Sequence, residues 1–296
     1  MPLTLAEGAK LSNDVVLQGV IETIVRDSPI LQRLPFIDIV GNGLTYNRET
    51  AGPVPALFYQ VGDTWVEASE TFTQVTAPLV IMGTDADVDS YLQKTRSNIQ
   101  DLAAAVIELR AKRVRYLFED TFVNGDTAVD VKSFDGVTKV ITGAQRITMG
   151  TNGATLSLSK LDELIDLIRG GPPDLLLMSR RTRRTLNALV RQVGTLIETR
   201  NEFGMMQSFY NGIPIGISDF VSDTQTKGTS ISVASSVYAL RFGEDAISGL
   251  QGAGGLQVED VGELETKDAH RYRIKWYVSM AYFGIPTQGV LDGVLV

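Results

Sequence analysis

The stretch SNIQDLAAAVIELRAKRVRYLFEDTFVNGD, residues 97–126, decides the fold. Ser97 and Gln100 form a capping box, and neither glycine nor proline follows until Gly125. The pattern predicts one uninterrupted helix over residues 98–122, about 40 Å long at ~1.5 Å per residue. A helix of this length suits a structural beam better than an ordinary domain core. Its predicted buried face holds Ile99, Leu102, Ala103, Val106, Leu109 and Leu117.

The segment before this helix, residues 41–82, favours strands but is poor in large apolar side chains. Threonine, valine and aromatic residues crowd it, and the breaks fall at Pro53, Pro55 and residues 62–63. Because two strands alone are marginally stable in water, the sequence predicts an extended hairpin that leans on something else. Phe58, Trp65 and Phe72 are its candidate contacts with other subunits.

Residues 1–40 are typical of an arm. Asn13 can cap a run of apolar residues at helical spacing, which ends at Ser28 because Pro29 follows. Residues 31–39 then favour an extended segment. The arm helix has two equally supported interpretations: an ordinary core element, or an amphipathic element that packs on a neighbouring subunit.

Residues 136–255 follow an α/β pattern. Ser159 and Ser179 each precede a helical apolar pattern, so each is a candidate N-cap. Short apolar runs predict buried strands at residues 174–178, 213–217 and 232–242. Farther on, the alternation over residues 271–282 puts apolar side chains on one face and Arg271, Arg273 and Lys275 on the other, as in a half-buried strand.

Composition excludes several classes of function. The chain has 296 residues, a net charge of −8 and no cysteine, and its single histidine is His270. Disulfides, thiolate nucleophiles and the usual zinc or non-haem iron sites are therefore excluded. The glycines at residues 41–43 and 252–255 complete no nucleotide-binding motif and are interpreted as turns. We expect no catalytic, cofactor-binding or metal-ligating residue, and His270 to be structural or on the surface.

Nothing in the sequence directs the chain to a membrane or out of the cell. No apolar run approaches the ~18 residues that a membrane span needs, and the first residues, MPLTLAE, lack the pattern of a secretion signal. The acidic balance also argues against broad, sequence-independent DNA binding. The expectation is an intracellular protein.

Two charge clusters need an explanation. Asp85, Asp87 and Asp89 share one face if they lie on a strand, which predicts a solvated or arginine-paired acidic face, with an adventitious cation site as the alternative. The run RRTRR, residues 180–184, puts four cations in the first turn of a helix, where they oppose the helix dipole. Carboxylates of a neighbouring chain are the preferred compensation, with nucleic-acid phosphate and plain solvation as alternatives.

In this order along the chain, these pieces resemble the major capsid protein of tailed double-stranded DNA bacteriophages. No single motif is specific, and the ordered set covers essentially the whole chain. The residues that carry the resemblance are 3–10 (LTLAEGAK), 28–31 (SPIL), 43–49 (GLTYNRE), 61–65 (VGDTW), 118–126 (FEDTFVNGD), 134–137 (FDGV), 180–184 (RRTRR) and 261–268 (VGELETKD).

The resemblance implies an α+β shell-building fold. Residues 1–40 would be an N-terminal arm, 41–82 an extended β-hairpin loop, 83–135 with 256–296 a peripheral domain carrying the long spine helix, and 136–255 an axial domain. The arm begins at once, so any scaffold is expected to be a separate protein, absent, or cleaved off before residue 1. The candidate subunit-interface residues are Arg48, Phe58, Trp65, Phe72, Arg180, Arg181, Arg183 and Arg184.

The implied function is a capsid shell, made of hexamers and pentamers of this chain, that encloses a DNA genome in the virion. It would be assembled in the host bacterial cytoplasm with a portal and with separate scaffolding or decoration proteins. Two alternatives remain. The first is an encapsulin-like nanocompartment shell with the same fold, and the second is an unrecognised enzyme or binding module with an α/β core.

Overall fold

The computed structural model describes residues 28–49, 57–65, 72–91, 94, 102–193, 198–202 and 205–295. The predicted arm helix and the capping box at residues 97–100 lie outside these ranges. Among the described helices none is long and apolar enough to cross a membrane. The helices are α1 (Leu102–Asn124), α2 (Val137–Val140), α3 (Leu158–Asp166) and α4 (Arg180–Val193).

Helix α1 confirms the predicted long helix, but part of the face that was predicted to be buried is exposed. Leu109 and Leu117 are exposed, at 60% and 50%. The helix packs against the strands at Val80–Asp89 and Ala269–Tyr282 through another stripe of residues, spaced three to four positions apart. Apolar residues occupy two sides of α1, and the side with the aromatic rings is buried. The buried stripe is Ala103, Ile107, Ala111, Val114, Phe118 and Phe122.

The two later helices begin at serine caps, one of them predicted correctly. Ser179 Oγ accepts a hydrogen bond from the Thr182 amide at 3.1 Å and caps α4. The prediction for Ser159 was wrong. Ser157 caps α3 instead, because its backbone is extended and its Oγ accepts the Lys160 amide at 3.2 Å.

The described strands pair into three sheets. They are β1 (Phe36–Ile39), β2 (Gly43–Glu49), β3 (Phe72–Pro78), β4 (Val80–Asp89), β5 (Arg146–Thr148), β6 (Ala154–Thr155), β7 (Leu175–Met178), β8 (Glu198–Glu202), β9 (Met205–Tyr210), β10 (Ile213–Ile217), β11 (Gln225–Lys227), β12 (Ser230–Leu240), β13 (Ile247–Glu263), β14 (Ala269–Tyr282) and β15 (Gln288–Leu295).

A four-stranded sheet with the order β1-β13-β14-β4 packs on α1. The predicted half-buried strand is β14, whose Trp276 packs with Phe36 and Phe118 of the core. Residues 252–255 are not the turn that the sequence analysis predicted. They form a bulge inside the long strand β13, where the register against β14 shifts between Gln251 and Leu256.

A nine-stranded sheet forms the α/β part of the fold. Seven of its strands follow the order β5-β15-β12-β7-β10-β9-β8, while β11 pairs with β12 and β6 pairs with β15. Alternate residues of the fully buried strand β7 face two different cores. Leu175 and Leu177 join the core that contains α1, whereas Leu176 and Met178 pack with α3 and α4. Strand β7 therefore contributes side chains to both cores.

The predicted limits of the structural units stay predictions. Strand β13 runs across the predicted limit at residues 255 and 256, and β15 pairs within the larger sheet. The third sheet is the predicted hairpin. In it β2 and β3 pair antiparallel from Gly43 opposite Pro78 to Glu49 opposite Phe72.

Candidate assembly surface

Strand β2, at the root of the hairpin, is hydrogen-bonded to the end of β14. Tyr46 donates its hydroxyl to the backbone carbonyl of Tyr282 at 3.1 Å, and Arg48 donates to the same carbonyl. The Tyr46 ring lies 4.8 Å from the ring of Phe283, between centroids. The Arg48 guanidinium is thus used inside this chain, and its predicted interface role stays a prediction.

The far part of the hairpin, residues 57–65, is named the tip here. Phe58 and Val61 are fully exposed, and Trp65 is 77% exposed. The Trp65 ring stacks on Tyr59 at 4.1 Å with an interplanar angle of 24°. The tip therefore presents ordered apolar groups to solvent, where a lone chain gains nothing from them.

Phe72, the fourth predicted contact in this chain region, lies at the start of β3 and is 64% exposed. All three predicted aromatics, Phe58, Trp65 and Phe72, are therefore exposed.

The first turn of α4 carries the four arginines as the sequence predicts, and Arg180 pairs with a carboxylate of this chain. Arg180 Nε and Nη2 donate to Asp219 at 2.7 and 3.1 Å, a bidentate pair. Arg181 and Arg184 are exposed, and Arg183 is half-buried with no hydrogen-bond partner for its Nε among the described residues. Arg180 thus has a carboxylate partner within this chain, and its predicted interface role stays a prediction.

The predicted acidic face is an arginine-paired ladder. Arg273 Nε lies 2.7 Å from Asp85, and Arg271 Nε lies 2.6 Å from Asp87, across the β4–β14 pairing. The hydrogen bonds from these guanidinium groups hold the pKa values of both carboxyls below the usual range. The ladder stabilises the sheet and needs no cation.

The described residues hold no group of three or more side chains able to bind a metal ion. His270 is half-buried at the start of β14 and shares a hydrogen bond of 2.5 Å with Asp260 of β13. It therefore has the structural role that we expected.

An apolar groove on the outer face of the four-stranded sheet was not predicted from the sequence. The groove has a volume of about 400 Å³ and lies beside the bulge of β13. The signal that indicates it is an apolar side chain at an outward-facing position of two paired strands, Ile81 and Tyr277. Its apolar lining includes Val40, Leu79, Ile81, Ala253 and Tyr277.

The fold of this chain is similar to the folds of solved shell proteins. The chain is similar to the holo-SrpI encapsulin complex from Synechococcus elongatus PCC 7942, with a TM-score of 0.70, 18% identity, and coverage of 90% of this chain and 87% of that chain. It is also similar to the capsid of an empty GTA particle (TM-score 0.64, 12% identity, 90% of each chain).

A third similar structure, Mycobacterium phage Bobi, gives a TM-score of 0.61 at 13% identity, covering 90% of each chain. No protein-family model and no curated protein sequence matches the chain. These comparisons confirm the predicted fold, an α+β fold in common with phage capsid and encapsulin shell structures.

Proposed function

We propose that this chain is a structural subunit that assembles with copies of itself into a closed capsid shell. The observation that carries the proposal is the exposure of the aromatic side chains Phe58, Trp65 and Phe72 in the hairpin segment, on a fold found in shells. Apolar side chains that project into solvent are a liability for a monomer. They are explained if a neighbouring subunit covers them.

In its specific form, the proposal is the icosahedral shell of a tailed phage, which encloses double-stranded DNA. Hexamers and pentamers of the chain would form the shell, together with a portal and separate scaffolding or decoration proteins, in the host bacterial cytoplasm. The net charge of −8 supports a container of this kind, since an acidic wall does not grip packed phosphates. We propose no catalytic role for the chain.

The proposed contacts divide into an apolar and a charged set. Phe58, Trp65 and Phe72 would be covered by a neighbouring subunit. Arg181 and Arg184 would bind carboxylates of a neighbour, because each guanidinium can hold a carboxylate through two parallel hydrogen bonds.

An encapsulin-like compartment is the second candidate. The similarity to the SrpI encapsulin complex, with a TM-score of 0.70, supports it. The two candidates differ in what the particle contains. Nuclease-protected DNA in particles from the native source would support the phage shell, whereas a protein cargo without DNA would support the compartment.

Sedimentation velocity of the purified full chain tests self-assembly into a large shell, which both candidate functions require. A shell protein gives a boundary many times faster than a 32.2 kDa monomer, either at once or above a threshold concentration. A monomer or small oligomer at every concentration and salt condition would refute the proposal and favour an enzyme or binding module.

A further inference from the structure

Four Asn-Gly dipeptides occur in the chain, at residues 42–43, 124–125, 152–153 and 211–212. Asparagine is chemically labile in proteins, and most of all before glycine, because glycine has no side chain to shield its backbone nitrogen. That nitrogen attacks the Cγ atom of the asparagine side chain. The attack needs an unrestrained side-chain amide and a peptide that can rotate, so the folded structure decides which pair reacts.

The pair at the end of α1 is held on both sides of the reaction. Asn124 Nδ2 donates to Asp120 at 2.9 Å and to the Phe220 carbonyl at 3.0 Å. The Gly125 nitrogen donates to the Thr121 carbonyl at 2.8 Å. Neither the amide nor the attacking nitrogen can move without breaking these bonds, so this pair is protected.

Two other pairs have a restrained side chain. Asn152 Oδ1 accepts a hydrogen bond from the Thr229 amide at 3.1 Å. Asn211 Nδ2 donates to Asp162 of α3 at 3.2 Å. Rotation of either side chain toward the following glycine would cost a hydrogen bond, so both pairs should react slowly.

The pair at the root of the hairpin is held least. Asn42 is exposed in the bend before β2, and no hydrogen bond holds its side-chain amide among the described residues. Gly43 lies opposite Pro78, and the Leu79 amide donates to the Asn42 carbonyl at 2.8 Å. Because bonded and non-bonded pairs alternate in an antiparallel ladder, the Gly43 N–H points away from β3. The Leu79 bond ends the ladder, where local opening is easiest.

The fold itself requires the glycine that makes this pair reactive. A Cβ built on Gly43 would lie 2.6 Å from the Ala77 carbonyl oxygen and 2.8 Å from the Pro78 Cα. Both are backbone atoms of the paired strand, so a larger residue would disturb the β2–β3 pairing. Gly41, on the other side of Asn42, has a φ of +119° and open space where a side chain would be. The bend can therefore change its conformation.

We propose that Asn42 is a site of spontaneous deamidation in the folded chain. The Gly43 nitrogen loses its proton and bonds to Asn42 Cγ, and the side-chain nitrogen leaves as ammonia. The resulting succinimide ring takes up one water molecule and opens at either of its carbonyls. One opening gives aspartate, and the other gives isoaspartate, in which the backbone runs through the side-chain carbons. The reaction needs no cofactor, and the inference does not depend on the proposed shell function.

The modification changes the root of the hairpin in two ways. Both products add one negative charge beside the groove that Asn42 lines. Isoaspartate also adds one carbon atom to the backbone, which moves the carbonyl away from the Leu79 amide that donates to it. The end of the β2–β3 ladder is thereby opened, while the pairs farther along the hairpin are kept.

Incubation of the full chain in heavy-oxygen water tests the site directly, because only residues that deamidate during the incubation take up the label. The four Asn-Gly pairs fall in four different tryptic peptides, so mass spectrometry follows each separately, and fragmentation locates the label. The matched control is the same chain in guanidinium chloride. There the four pairs share the same following residue and no longer differ in structure.

In the folded chain, Asn42 should take up label at least about tenfold faster than Asn124, whereas in denaturant the two rates should agree within about twofold. Asn42→Gln should remove the label from this peptide, because a longer side chain cannot form the same five-membered ring. A folded chain in which Asn42 reacts no faster than Asn124 would overturn the proposal.

Hydrogen exchange tests the effect on the hairpin root. The Leu79 amide should exchange at least about fivefold faster in aged, isoaspartate-containing protein than in fresh protein. The matched control is Asn42→Asp, which carries the new charge without the added backbone atom and should exchange like the fresh chain. Equal exchange of Leu79 in aged and fresh protein would overturn the assigned opening of the ladder.

Discussion

The double substitution Phe58→Ser with Trp65→Ser should abolish or strongly weaken assembly without weakening the subunit. Both side chains are exposed in the isolated chain, so the free energy of unfolding should change by no more than about 0.5 kcal/mol. The Trp65–Tyr59 stack is the only intrachain ring contact that the structure gives these two residues among the described ones.

The assembly cost can be worked out from area. One aromatic that buries about 150–250 Å² contributes about 4–6 kcal/mol gross at ~25 cal/mol per Å². Ordering of the interface consumes part of this, and truncation of a central interface residue typically costs about 2 kcal/mol or more. A loss of ~2 kcal/mol weakens each contact about thirtyfold.

Light scattering over a concentration series measures the threshold, and urea unfolding measures the subunit. The matched control is Val131→Ser, which removes an apolar side chain 86% exposed in the loop after α1. Assembly of the double variant at the wild-type threshold would refute the reasoning. A large fall in its free energy of unfolding would show instead that the tip serves the subunit's own stability.

Three further changes test other parts of the structure. Replacing Arg181 and Arg184 by Gln should leave folding nearly unchanged but weaken DNA-free assembly, and rising salt should weaken wild-type assembly more than variant assembly; unchanged light scattering would contradict this. Val106→Pro in α1 should cost about 3 kcal/mol or more in urea unfolding, and a variant of normal stability would contradict the continuous helix. Because their folded pKa values are lowered, Asp85 and Asp87 should stabilise the fold above about pH 5, and this contribution should be lost as the pH falls below about 4. Acid titration of Asp85→Asn should show a smaller loss than wild type, and equal losses would contradict the ladder.

Local patterns predicted much of the fold because they depend on neighbouring residues. The length of α1 follows from the absence of Gly and Pro, and the Ser179 cap from its position before a helical pattern. The aspartates of β4 and arginines of β14 were each predicted to share a face. The aspartates meet the arginines because the two strands pair in register.

Long-range pairing could not be predicted from these patterns. The parallel contact of β1 with β13 joins residues more than 200 positions apart, such as Phe36 and Gly249. A Cβ on Gly249 would lie within 2.4 Å of the Phe36 ring, so this glycine serves packing rather than a turn. The same cause explains the error at residues 252–255, since a bulge is defined only by the partner strand.

The exposed aromatics of the candidate interface were predictable from the sequence, whereas the intrachain partners of its arginines were not. Exposed aromatics on a ribbon without a core followed from composition. The intrachain partners of Arg48 and Arg180 depend on Tyr282 and Asp219, which lie 234 and 39 residues away. Their contacts became visible only in three dimensions.

Negative-stain electron microscopy of the purified full chain tests the central claim most directly. The account predicts closed, hollow particles of uniform diameter, formed by the wild-type chain and lost in the Phe58→Ser and Trp65→Ser variant. A field of separate small molecules from the wild-type chain, at concentrations well above those used for the other assays, would contradict it.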